Sequence, residues 1–367
     1  MLPLWSLFPV FGIYAYGNRS VIGKVHLHVG AKLPCNYLLA QILLHLLNKC
    51  FVIRCGFKDN LPANDMTQML CQRCERFEGN GGFLPWEDPH NQGILGGNKP
   101  SMRFPLRSLN NVSYDPRTGY FKLKGKNKER TLTVGTVKTF AQTLKMMALA
   151  KELVETDDIA TKREAYYVSK NWDAARFKEQ AESDAVMDDV EALFAMNREQ
   201  LGFIPEEKGG DVAGRLVVID HDRDTGEELR IDCTRFGSGA YSIPISVEDL
   251  KFETDAQFIL CIETAGMFQR LVKHKYYEKA NCVLVSLKGV PSRATRRFIK
   301  RLAAEKQLPV YVFTDGDQYG FGSIYRTLKV GSGNAAHVNE FFCVPNAKFI
   351  GVTPQDIEEY KLPSHPL

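Results

Sequence analysis

The sequence predicts an α/β chain in which a helix-turn-helix segment with flanking strand pairs precedes a mostly parallel sheet covered by helices. Three observations predict it. The apolar runs "AQFILCIE", "CVLVSLKGVP" and "LPVYVFTDGD" alternate with the helical stretches "AGMFQRLVKH" and "SRATRRFIKRLAAEK", which is how a parallel sheet with both faces covered reads. Upstream, "VKTFAQTLKMMALAKELVE" is followed after a short gap by "ATKREAYY", a second helix start. A Gly/Pro/Asn-rich stretch, "FEGNGGFLPWEDPHNQGILGGNKP", separates everything before it from both patterns.

Length and composition bound the rest. A chain of 367 residues has room for two or three cores. With 44% hydrophobic and 25% charged residues and a net charge of +4, the total does not announce a polyanion binder. The distribution says more: from Lys99 to Lys151 there are twelve Lys/Arg against two acids, Asp115 and Glu129, with "KLKGKNKER" the densest run. That asymmetry suits either a nucleic-acid face or a solvated hairpin tip. Nine cysteines in so long a chain are no disulfide scaffold; Cys233, Cys261, Cys282 and Cys343 read as small core residues in a reducing compartment. Cys50, Cys55, Cys71 and Cys74 have a spacing that four zinc ligands could use, although "KCFVIRC" is an apolar setting for a zinc knuckle. The N-terminal "MLPLWSLFPVFGIYAYG" lacks a basic start and carries Pro3 and Pro9, so it is a poor signal peptide. "LLAQILLHLLNKCFVI" is too short to span a bilayer, and no membrane association is expected.

In order along the chain, residues 1–98 form an N-terminal region with no assigned fold. "YFKLKG" and "RTLTVG" alternate like strands paired around the basic turn. Phe140, Leu144 and Met147 recur at helical spacing. Thr161 and Glu164 have the spacing of a capping box. A further helix carries Val186, Val190, Leu193 and Phe194 on one stripe, and "GRLVVID" and "ELRIDC" read as a strand pair. Residues 99–245 therefore read as a winged-helix module, and residues 246–367 as the sheet domain.

Chemistry gathers where an open parallel sheet puts it, at the carboxyl ends of strands. Glu263 ends the first apolar run, and Asp315 and Asp317 follow the third. Three converging acids repel one another unless protons or a cation compensate them, and oxygen ligands suit Mg²⁺; singly, each would be an ordinary solvated strand end. The basic helix adds Arg293, Arg296, Arg297, Lys300 and Arg301 at spacings suited to phosphate contacts, or to a solvated face. In "TKREAYYVSKN" the adjacent Tyr166 and Tyr167 are either half-buried packing residues or include a nucleophile. Spacing does not choose between them, because Arg163 lies within one turn of both.

The stretches "ILCIETAGMFQRLV", "LVSLKGVPSRATRRFIKRL" and "LPVYVFTDGDQYGFGSIYRTLKVGS" closely resemble the Toprim domain of the topoisomerase VI A-subunit family. "TKREAYY" resembles that family's catalytic winged-helix (CAP-like) segment, and "MRFPLRSLNNVSYDP", "NREQLGFIPEEKGGDVAGRL" and "AKFIGVTPQDIEEYKLPSHPL" agree as well. The resemblance covers roughly Lys99 to the end. It implies a DNA-cleaving and rejoining component of a type IIB, ATP-dependent topoisomerase, with Tyr167 as nucleophile joined transiently to the 5′ phosphate and Arg163 beside it. It implies Mg²⁺ on Glu263, Asp315 and Asp317, and DNA contacts from Lys288, Arg293, Arg296, Arg297 and Lys300. It implies double-stranded DNA as substrate, a homodimer of A subunits, and a heterotetramer with an ATPase B subunit. That partner would use the ATP, and this chain has no G-x-x-x-x-G-K-[ST] loop. Such an enzyme works at the nucleoid in the cytoplasm of an archaeon or bacterium, or in a eukaryotic nucleus. Residues 1–98 would contact the B subunit. Gln318 departs from the proline common after Asp-Gly-Asp, and family members usually continue past the position of Leu367, so C-terminal helices are expected to be missing. The meiotic double-strand-break transesterases share both modules and are the nearest alternative. The rivals from other classes are a non-covalent Toprim nuclease and an inactive DNA-binding protein.

Overall fold

The computed structural model describes residues 99–205, 208–222 and 225–362. The N-terminal region and its four-cysteine zinc expectation lie outside these residues.

The first strands pair differently from the expectation. β1 (Ser101–Pro105) lies antiparallel to β4 (Asn127–Thr131), and β2 (Val112–Asp115) to β3 (Tyr120–Leu123), so "YFKLKG" and "RTLTVG" are not partners. Gly119, at φ +77 and pressed against Pro345, closes the β2–β3 hairpin one turn earlier than the basic run. On β1, alternate Met102 and Phe104 are buried, which fixes its register. α1 (Val137–Glu155) has the bounds that its periodicity predicts. β5 (Ala160–Thr161) leads directly into α2 (Lys162–Val168), and the capping box is formed: Glu164 N–H donates to Thr161 Oγ1 at 3.1 Å, and Thr161 N–H to Glu164 Oε2 at 2.6 Å. α3 (Gln180–Phe194) follows, and β6 (Phe203–Ile204) pairs in parallel with β5. Met146, Met147, Ala165, Phe177, Val186, Val190 and Phe194 share one core beneath these helices.

β8 (Val217–His221) and β9 (Glu228–Asp232) pair as expected. β11 (Lys251–Glu253) takes the other edge of β8 to make a three-stranded sheet. Val218 and Phe252 of its strands, with the adjoining Leu216 and Cys233, are buried with Val283 and Val285 of the following sheet and Phe298 of the helix Arg293–Lys306, where more apolar area can be covered.

That six-stranded sheet runs β10 (Tyr241–Ser242), β7 (Asp211–Gly214), β13 (Cys282–Ser286), β12 (Phe258–Ile262), β14 (Val310–Phe313), β15 (Lys348–Gly351). The last four strands are mutually parallel, while β7 and β10 add antiparallel pairings. The sheet is mixed, and it recruits strands from before residue 246. β7 approaches so closely at its start that a Cβ on Gly210 would lie 1.8 Å from the Ser286 carbonyl oxygen. Alternate residues of β12 and β13 enter different cores. Ile259, Cys261, Val283 and Val285 pack with α6 (Arg293–Lys306), whereas Leu260, Ile262 and Leu284 pack with Phe268 and Tyr277 from α4 (Ala265–Lys273) and α5 (Tyr276–Ala280). Continuous apolar strands therefore report two covered faces. α7 (Arg326–Lys329), α8 (Asn339–Phe342) and α9 (Pro354–Glu359) complete the described chain.

Candidate active site

Successive residues on a helix point about 100° apart, so a tyrosine pair must split between two environments. On α2 the split is complete. Tyr166 Oη donates to the Lys178 carbonyl at 3.0 Å and accepts from Lys170 Nζ at 2.7 Å. Tyr167 is 53% exposed, with Arg163 Nε donating to its Oη at 3.4 Å and the guanidinium 5.8 Å from its ring centre. Thus one phenol is engaged by the fold, and the other is presented beside a cation.

The acids meet at the carboxyl edge of the sheet because β12 and β14 are neighbours. Glu263 follows β12 and is 9% exposed. Its N–H donates to the Phe313 carbonyl, and its carbonyl accepts from Gly289 N–H. Its Oε2 accepts from Asp315 N–H at 2.8 Å. Burial pushes the Glu263 carboxyl above its ordinary value; the Asp315 amide opposes this, while the charges of Asp315 and Asp317 add to it. Asp317 Oδ1 accepts from Gly320 N–H at 2.7 Å, where a wide helical segment, Gly320–Tyr325, begins. An uncompensated set of oxygen donors, one of them half-desolvated, fits a hard divalent cation.

The basic residues of α6 read as DNA contacts are half-buried, and two of them are paired with acids. Arg293 forks onto Glu199 through Nε and Nη2 at 2.8 and 2.9 Å, and its Nη2 reaches Glu191 at 2.7 Å. Arg297 forks onto Glu248, with both contacts at 2.8 Å. Arg296 lies over the Phe342 ring with a buried Nε lacking a partner; burial, then the charge of Arg293, pull it down to about 10. Lys300 is half-buried and lowered by burial. Arg293 thus holds α6 against α3 and Glu199, and Arg297 holds it against the segment around Glu248. Lys288 alone of the five is exposed, at φ +55 in the turn after β13, with Nζ 3.0 Å from Asp211.

Sequence reasoning missed the acids opposite this helix, since partners 50 to 100 residues away carry no local signal. It also missed Lys170, which the four-residue offset from Tyr166 could have found. Among the described residues, Asp188, Glu191 and His337 bring ligand atoms within 4.8 Å of one another. Arg198 bridges both acids, while Arg107 holds Asp188 and Arg293 holds Glu191, so their charge is already compensated without a metal.

Fold and site together define a class: a Toprim-bearing protein with a separate tyrosine-bearing helical module. Three stretches match known families. Residues 138–203 match "Type IIB DNA topoisomerase", and residues 206–256 match "All-beta domain in DNA topoisomerase VI alpha subunit". Residues 258–367 match the Toprim domain of the topoisomerase 6 A-subunit/Spo11 family. The A subunit of type 2 DNA topoisomerase 6 from Methanocaldococcus jannaschii is 58% identical over 275 residues, 75% of this chain and 74% of that protein. Proteins of the same name from Methanothermobacter thermautotrophicus and Pyrococcus abyssi are 40% and 38% identical, covering 75% and 73% of this chain and 76% and 70% of theirs. The chain belongs to the topoisomerase 6 A-subunit/Spo11 family.

Proposed function

We propose that this type IIB topoisomerase subunit cleaves and rejoins double-stranded DNA through Tyr167. The observation that carries the residue assignment is the contrast within the pair, with Tyr166 bonded at both lone pair and proton and Tyr167 exposed beside Arg163. A phenol titrates near 10 and is a weak nucleophile at neutral pH until a cation or base activates it. Arg163 supplies that cation and offsets charge on the phosphoryl oxygens. Tyr167 Oη forms a bond to phosphorus as the bond to the 3′ oxygen breaks; the phenol proton leaves and the 3′ oxygen gains one. Exchanging one phosphate ester for another nearly conserves bond energy, so the reverse attack by the 3′ hydroxyl reseals the strand without ATP.

Glu263, Asp315 and Asp317 are the residues that would hold Mg²⁺, which when bound offsets charge on the phosphoryl and leaving oxygens. Residues 99–245 are read as the winged-helix module that presents DNA to this edge, with Lys288 the one exposed side chain among the five basic residues read as DNA contacts. Tyr167 makes no hydrogen bond to any of the three acids, which fits a site completed by a second copy of the chain. The working assembly is two copies with two ATP-hydrolysing B subunits, acting on double-stranded DNA at the nucleoid of an archaeon or bacterium or in a eukaryotic nucleus. No helix among the described residues is long and apolar enough to cross a membrane.

Trapping cleaved DNA with detergent and protease tests the nucleophile. Tyr167→Phe is expected to abolish covalent capture and Tyr166→Phe to leave measurable capture; the opposite result would overturn the assignment.

A further inference from the structure

We infer that Tyr166 and Lys170 are positioning residues for the cleavage reaction, tying down the far end of the helix that carries Tyr167. The inference rests on the reading of Tyr167 as nucleophile and adds a role for its neighbours. α2 has seven residues, too few for a helix to hold itself in water. Its direction must come from its ends. The N-terminal end has the capping box and the β5–β6 pairing. The C-terminal end has the Lys170 ammonium, whose three protons meet three acceptors: Tyr166 Oη at 2.7 Å, the Phe177 carbonyl at 2.8 Å and the Lys178 carbonyl at 3.4 Å.

Tyr166 Oη reaches the same Lys178 carbonyl, and the ammonium sits 3.9 Å from the centre of the Tyr166 ring. The acceptors are a fixed point. Phe177 is wholly buried against Trp172 and shares the core with Ala165 of α2 itself. The Tyr166 and Tyr167 rings are 5.5 Å apart, so a shift of the first moves the second. Lys170 is exposed, and substitutions at exposed positions usually change stability little. Its contacts are therefore better explained by the orientation of Tyr167 than by the stability of the module. A nucleophile displaced by about an ångström can lose on the order of 100-fold in rate.

The test uses the full chain assembled with its B subunit. It measures DNA affinity separately from the single-turnover cleavage rate at saturating DNA. Tyr166→Phe and Lys170→Met are each expected to cleave about 10- to 100-fold more slowly, with wild-type DNA affinity and melting temperature. The double variant should be no slower than the slower single one, because both break the same knot. Lys170→Arg should recover part of the rate, since its guanidinium can still donate to both carbonyls. Wild-type rates in both single variants, a loss confined to affinity, or losses that multiply in the double variant would overturn the inference. Tyr167→Phe, run alongside, separates the two claims. Persistent covalent capture in that variant sinks the nucleophile reading, whereas a dead Tyr167→Phe with wild-type rates in the other two sinks only the positioning role.

Discussion

At the scale of single residues, Glu263 is the clearest case of a group held at a cost. Burial, then the charges of Asp315 and Asp317, raise its carboxyl despite the hydrogen bond from the Asp315 amide. A carboxyl raised on folding is ionised at a cost to the native state once pH exceeds its folded value, and at no cost where folded and unfolded forms are both protonated. Glu263→Gln should therefore melt higher than the wild type at neutral pH in chelator, and the gap should close as pH falls into the acid range. Mg²⁺ should act in the other direction. At about 100 times its dissociation constant, a native-state ligand adds about 2.7 kcal/mol, so wild type should gain melting temperature on adding Mg²⁺ and the variant should not. Equal Mg²⁺ responses would remove Glu263 from the cation site.

At the scale of elements, the contact between α3 and α6 is ionic and largely dry. Glu191 is wholly buried and receives Arg293, Arg198 and the Arg198 amide. Burial pushes its carboxyl up, but Arg293, His337 and Arg198 more than offset this and hold it well below the usual range. A depressed carboxyl contributes stability that is present above its unfolded value and lost as pH falls through its folded one. Arg293→Met leaves Glu199 without its fork and strips the Arg293 contact from the buried Glu191, which keeps Arg198. Breaking a buried pair on one side costs about 3–5 kcal/mol, a loss that urea unfolding at neutral pH should read. The difference from wild type should shrink below the ordinary glutamate value of 4.5. A variant as stable as wild type at neutral pH would leave Arg293 free to serve as a DNA contact.

At the scale of the whole molecule, the proposed double-strand break needs two nucleophiles, which a two-fold dimer would provide. If each Tyr167 works with the acids of the other copy, mixing Tyr167→Phe and Asp315→Asn chains creates one intact site and one doubly crippled site. Verified heterodimers with the B subunit should then nick one strand, although neither variant alone cuts. Verified heterodimers that leave both strands whole would show that tyrosine and acids act within one chain.

Much of this is legible in the chain before it folds, for a physical reason. α1, the capping box of α2 and the apolar runs of β12 and β13 are set by contacts within a few residues, so periodicity and capping chemistry report them. The three acids are legible as neighbours because parallel strands bring the carboxyl ends of their runs to one edge. The amino-acid sequence alone thus determined the parallel core, the acid edge and, through its resemblance, the family. Only tertiary structure decided the rest. The partners of β1 through β4, the capture of β8 and β9 by the second sheet and the spending of Arg293 and Arg297 on distant glutamates depend on residues far apart in the chain. Tyr166 and Tyr167 likewise look interchangeable in sequence. They differ because the chain after α2 folds back to bring the Lys178 carbonyl to one phenol and leaves the other exposed beside Arg163, a difference that spacing within the helix does not show.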